Sequence, residues 1–148
     1  MAGLFDERTG GLVTYWKSIA AITTLVGSGT SARIYPHRAK QKVNPPYIEY
    51  MRGGGQSEKD LAGVTGHRLT ILYVYCYGAT LSAADALAEA VRQNTANYRG
   101  EMSGVYVRRI WCDDALDGGV DEPIDDSYSP KYWVRVIFRI AHAEAVGL

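Results

Sequence analysis

Residues 68–93, RLTILYVYCYGATLSAADALAEAVRQ, constrain the fold more than any other stretch. From Leu69 to Tyr77 the chain is apolar, β-branched or aromatic except at Thr70. A strand that offers water neither face belongs inside a sheet. Alternation places Leu69, Ile71, Tyr73, Tyr75 and Tyr77 on one face and Leu72, Val74 and Cys76 on the other. Gly78 ends the strand, and Thr80 or Ser82 can cap a helix. Ser82 with Asp85 approximates a capping box ahead of Leu87, Ala88 and Val91. That helix covers one row of the strand at once. What covers the other row decides what the chain does.

The remaining bounds are compatible with a self-sufficient core. A chain of 148 residues fits one domain spanning residues 1–148 and buries roughly 68–70% of its unfolded surface, so neither disulfide nor metal is needed to hold it. Sixteen basic residues balance sixteen acidic ones, which argues against a dedicated nucleic-acid or anionic-membrane binder. Cys76 and Cys112 lie in apolar runs without a close partner, the pattern of reduced core thiols in a reducing cytoplasm. The start, MAGLFDERTGG, is acidic where a signal peptide is basic and then apolar, and no window resembles a membrane span.

In chain order, Leu12, Trp16, Ile19, Ala20 and Thr23 recur at helical spacing, predicting one helix from Leu12 to Val26 that stops at Gly27. Short strands follow at Arg33 to Tyr35 and Tyr47 to Met51, joined by a loop that Pro36, Pro45 and Pro46 hold extended. Between Ser31 and Arg52 stand Arg33, Arg38, Lys40, Lys42 and Arg52 against the single acid Glu49. Gly53 to Gly55 open what reads as a mobile polar connection; they lack the GK[ST] that completes a phosphate loop.

Past the helix, NTANYRGEMSG reads as loop and Val105 to Cys112 as strand. Asp113, Asp114, Asp117, Asp121, Glu122, Asp125 and Asp126 then put seven acids into fourteen residues with no base. A calcium loop fails on spacing: with Gly118 as the turn glycine, Ala115 and Ile124 fall where carboxylates must stand. The expectation is a self-repelling, solvated loop until something basic meets it. The last strand, Tyr132 to Ala141, sends Tyr132, Val134, Val136, Phe138 and Ile140 to one face. Trp133, Arg135, Ile137, Arg139 and Ala141 go to the other.

This order predicts an α+β fold: an antiparallel sheet of about four to five strands with two helices packed on one face. The opposite face then shows Arg135 and Arg139 beside an uncovered apolar row, and contiguous apolar area of that kind marks an interface. Burying one Tyr or Ile side chain gives about 1.5–3 kcal/mol, whereas an exposed Arg–Asp pair gives at most about 1 kcal/mol. Apolar contact would supply affinity and charge would set register. Catalysis finds no foothold: His37, His67 and His142 are scattered, and HExxH, CxxC and GxSxG are absent.

RIYP with its basic loop and PPYIEY, then HRLTILYVYCYGATLSAADALAEAVRQ, then KYWVRVIFRIAH after an acidic spacer, together resemble the small tail-completion proteins of long-tailed phages. These are the tail terminator or head–tail joining family, and the resemblance runs from Arg33 to His142. It implies an α+β protomer assembling as a ring, commonly of six copies, on the head-proximal end of the tail tube. Such a ring ends tube polymerisation and presents a surface to the head connector. The implied partners are further copies of the chain, the tail tube protein and connector or neck proteins, with DNA only in transit through the lumen. No catalytic residue, metal or cofactor is implied, and the location is the virion. The chain departs from the family in its acidic spacer, Asp113 to Asp126, and its Gly53 to Gly66 segment.

In a closed ring one edge of a protomer must complement the other. The contact residues expected here are therefore Arg33, Arg38, Lys40, Lys42, Arg135 and Arg139 against Asp113, Asp114, Asp117, Asp121 and Glu122, with Tyr73 and Tyr75 as apolar anchors. The same acids could instead line a channel through which DNA passes. A different tube or neck component would stack into a polymer instead of a single ring. A small ligand-binding domain or enzyme would use the tyrosine-rich sheet as a pocket wall.

Overall fold

A computed structural model describes residues 4–5, 10–37, 39, 43–60, 63–113, 117–121 and 130–143, with backbone only at 54–60, 63–66 and 117. The elements are α1 (Gly11–Lys17), α2 (Ala20–Val26), β1 (Ile34–Pro36), β2 (Tyr47–Asp60), β3 (Gly63–Gly78), α3 (Leu81–Thr95), β4 (Gly100–Met102), β5 (Val105–Cys112), β6 (Asp117–Asp121) and β7 (Lys131–Ala143). The sheet runs β1-β2-β3-β7-β5-β4, with β6 also on β7.

β3 is central, antiparallel to β2 on one side and to β7 on the other. β7 in turn holds β5 along Phe138 to His142 and β6 along Lys131 to Arg135. The fold is α+β, with seven strands in place of four or five and three helices in place of two. β1 pairs in parallel with β2, so the sheet is mixed. The strands not foreseen are β4 and β6. β4 forms a hairpin with β5 around Ser103 and Gly104, both at positive φ (48° and 85°), as a tight primed turn requires.

The expected single helix from Leu12 to Val26 is two. Ser18 donates its hydroxyl to the Tyr15 carbonyl, and Ile19 turns extended at φ −97°, ψ 111°. The break resets the helical phase. Leu12, Val13 and Trp16 bury in the first half and Ile22 and Val26 in the second, while Ala20 is left exposed. The Trp16 indole donates to Thr95 Oγ1 at 2.9 Å, tying α1 to the end of α3.

The second correction concerns the glycine-rich connection. Residues 53–60 continue β2 and residues 63–68 begin β3, in register from Gly54 opposite Ile71 to Asp60 opposite Gly63. A cross-strand ladder supplies the order that local glycine chemistry does not. Gly53 also has a positive reason: a Cβ there would stand 1.9 Å from the Tyr73 ring, so the glycine is the seat on which that ring lies.

The helices cover one face of the sheet. α3 begins at the Thr80 cap, whose hydroxyl accepts from Ala83 N–H at 3.1 Å, and lays Ala84, Leu87, Ala88 and Val91 on the sheet. Gly78 permits the close turn, since a Cβ would meet Ala84 N at 2.4 Å. Beneath lie Leu72, Val74 and Cys76 from β3 and Val136, Phe138 and Ile140 from β7, all fully buried. Burial pushes the Cys76 thiol far up, so it stays protonated, and both cysteines are free.

Candidate functional site: the open face of the sheet

The face away from the helices is built by register. Tyr73 stands opposite Met51 and Ile137, Tyr75 opposite Glu49 and Arg135, and Tyr77 opposite Tyr47 and Trp133. Leu69, Ile71, Tyr73 and Tyr75 are half-buried, and so are Trp133, Arg135 and Ile137. One strand therefore carries a dry row and a partly wet row, as its doubly apolar sequence required.

Aromatic and cationic groups interleave across this face. Tyr47 stacks on Tyr77 with centroids 4.5 Å apart, and Tyr75 meets Trp133 edge-on at 5.5 Å. Arg135 lies 5.7 Å over the Tyr73 ring and Lys131 5.3 Å over Tyr47. Each such contact is worth about 0.5–1 kcal/mol where solvated and more where partners exclude water. Gly119 on β6 repeats the device of Gly53: a Cβ there would sit 2.5 Å from the Trp133 ring, so glycine leaves that indole its place.

One end of the face is closed. Glu49 is buried, accepting from Ala39 N–H, which brings the basic segment after β1 over the sheet. Burial, and then the neighbouring Glu49 carboxylate, Asp121 and Tyr47, drive the Tyr77 phenol well above its ordinary range, so it is a neutral hydrogen-bond donor.

The expected contact residues separate by location. Tyr73, Tyr75, Arg135 and Arg139 do share the open face. Arg33 is occupied inside the chain instead: its Nε donates to Pro46 O at 2.8 Å and its Nη2 to Leu25 O at 3.1 Å, pinning α2 to the strand pair β1–β2. Asp113 lies 3.6 Å from Arg139 of the same chain, and Asp117 stands opposite Arg135 in register. Part of the charge pairing expected between copies thus exists within one protomer. The acidic run is not all loop either, since Asp117 to Asp121 is strand β6. Asp121 is exposed opposite Lys131. Arg38, Lys40, Lys42, Asp114 and Glu122 lie outside the described residues.

Sequence reasoning missed Tyr47, Glu49 and Lys131 as members of this face. Strict alternation along YIEYM already puts Tyr47, Glu49 and Met51 on one side; only the register with β3 shows that it is the tyrosine side. Among the described residues no group of three or more His, Cys, Asp or Glu could hold a metal, and no helix is long and apolar enough to cross a membrane. The described pockets are open surface clefts of about 450–470 Å³.

A helix-backed sheet with a broad aromatic and cationic face defines a structural, contact-making domain. Comparison with known proteins says which one. The model of the tail completion protein gp17 family matches residues 11–118, and the chain belongs to that family. It is therefore a structural component of the phage tail, with a tail or neck location in the virion. The fold is also that of a chain in the virion of a native gene transfer agent particle. The two are 16% identical, with a TM-score of 0.64 over 88% of this chain and 90% of that one. No curated protein matches the sequence significantly.

Proposed function

We propose that the chain acts as one tail-terminator-like domain over residues 1–148. Copies of it form a ring, most simply a hexamer, at the head-proximal end of the tail tube. The ring ends tube polymerisation and joins the tail to the head connector, with DNA passing through its lumen, and the role is structural, not enzymatic. The observation that carries this reading is the asymmetry of β3: Leu72, Val74 and Cys76 are sealed by the chain's own helices, whereas Leu69, Ile71, Tyr73 and Tyr75 remain half-open beside Arg135. Partial burial of an aromatic row on a small chain is what a neighbouring subunit completes. Family membership supplies the assembly in which that neighbour is found.

The test is genetic and visual. Phage deprived of this chain should give tail tubes of uncontrolled length that do not join heads, and adding the purified protein should restore joining. Tails of normal length and normal joining without it would overturn the reading.

A further inference from the structure

A second group of side chains gathers at the other end of the sheet, around β5. The β5–β7 ladder bulges between Val107 and Arg109, which turns two consecutive residues to the same side. Burial accordingly runs Val107 buried, Arg108 and Arg109 exposed, Ile110 buried, Trp111 exposed. Arg99 donates from Nε to the Tyr106 hydroxyl at 3.2 Å, and the Arg109 guanidinium lies 5.3 Å over the Trp111 ring. Tyr106 and Trp111 are 40% and 39% exposed. With His67 and Ala141 these groups line an open cavity of about 470 Å³. The carboxylates nearby are Glu101, opposite Tyr106 in register, and Asp113, which is beside Arg139.

The acidic run is tethered at the opposite end of β7. Asp121 faces Lys131, and Glu122, Asp125 and Asp126 lie in the nine residues strung between those two anchors. A chain leaving Asp121 and returning to Lys131 gets no farther than about 18 Å from them, at about 3.6 Å per residue out and back. Arg109 is opposite Ala141, ten residues along β7 from Lys131, or about 33 Å at strand rise. These acids cannot reach the arginines of their own chain. In a second copy they can.

We propose that the acid-bearing end of one copy, Asp121, Glu122, Asp125 and Asp126, docks on the β5 face of the next, Arg99 and Arg109 with Tyr106 and Trp111. This rests on the ring reading and names its subunit contact. Complementary patches at the two ends of one protomer make a heterologous, head-to-tail junction, the kind that closes into a ring. The aromatics contribute apolar area and the charges fix register.

Two charge-reversed full-length variants test it: Arg99→Glu/Arg109→Glu, and Asp121→Lys/Glu122→Lys/Asp125→Lys/Asp126→Lys. Mass is measured by native mass spectrometry in solution and copy number on isolated tail tubes. Wild type should give one discrete multimer and each variant alone only monomer. An equimolar mixture should regain the multimer, because every junction then pairs opposite charges; that recovery also shows both variants folded. Variants that assemble like wild type, or folded variants whose mixture stays monomeric, overturn the proposal while leaving the ring intact. A wild type found as a single copy both free and on tails removes the ring reading itself. If the arginine variant keeps its multimer but loses retention of a single-stranded DNA oligonucleotide that wild type binds, the β5 face is a nucleic-acid surface and the proposal falls.

Discussion

The two sides of β3 differ by one residue in phase and by everything in surroundings. Its even row, Leu72, Val74 and Cys76, is fully buried under α3 and against β7. Its odd row, from Leu69 to Tyr75, is half-open and rimmed by Arg135, Trp133 and Ile137. Both rows are apolar, so hydrophobicity alone does not tell core from contact surface. The distinction lies in what stands alongside: aliphatic side chains on the dry side, tyrosines and cations on the wet one. Tyrosine and arginine tolerate water when a partner is absent and reward its exclusion when one arrives.

Substitutions should break this comparison unevenly. The largest loss of stability is expected for Phe138→Ala on the helix-covered side, about 3–5 kcal/mol from lost transfer energy and the cavity left behind, read from chemical denaturation. Thr95→Val should cost about 1–3 kcal/mol, because the buried Trp16 indole N–H loses its acceptor; Thr95→Ser, which keeps the hydroxyl, should recover most of it. Gly119→Ala should cost a similar 1–3 kcal/mol by displacing the Trp133 ring, with a change in tryptophan fluorescence that Phe138→Ala does not share. Arg135→Ala should cost only about 0.5–1 kcal/mol of stability through the lost contact with Tyr73, yet abolish incorporation into tails. The smallest effect belongs to Asp113→Asn: its half-exposed pair with Arg139 is worth less than about 1 kcal/mol, and any change should vanish in high salt.

Much of this was legible because periodicity reports on faces. The alternation of β3 and β7, the strand Val105 to Cys112 and the helix after Gly78 follow from side-chain pattern alone. What escaped depended on partners that are remote in sequence. β2 extends through three glycines because β3 lies beside them and because Tyr73 needs the space above Gly53. β6 forms inside an acidic run because β7 sets Arg135 and Lys131 opposite Asp117 and Asp121, a cross-strand arrangement that offsets the self-repulsion a linear reading counts. The break at Ser18 leaves no trace in a helical repeat, and the bulge that aligns Arg108 with Arg109 is invisible until β7 fixes the register. At the candidate site, the tyrosines and Arg135 were readable as a surface, while the internal occupation of Arg33 was not.

The central claim is that the odd row of β3 is finished by another subunit. A cryo-electron microscopy reconstruction of the head-proximal end of the tail tests it most directly. The account predicts a closed ring of this chain in which Tyr73, Tyr75 and Arg135 lie against a neighbouring subunit and are shielded from solvent. A reconstruction that places the chain there with that face open to water, or that finds the chain as a single unringed copy, would contradict it.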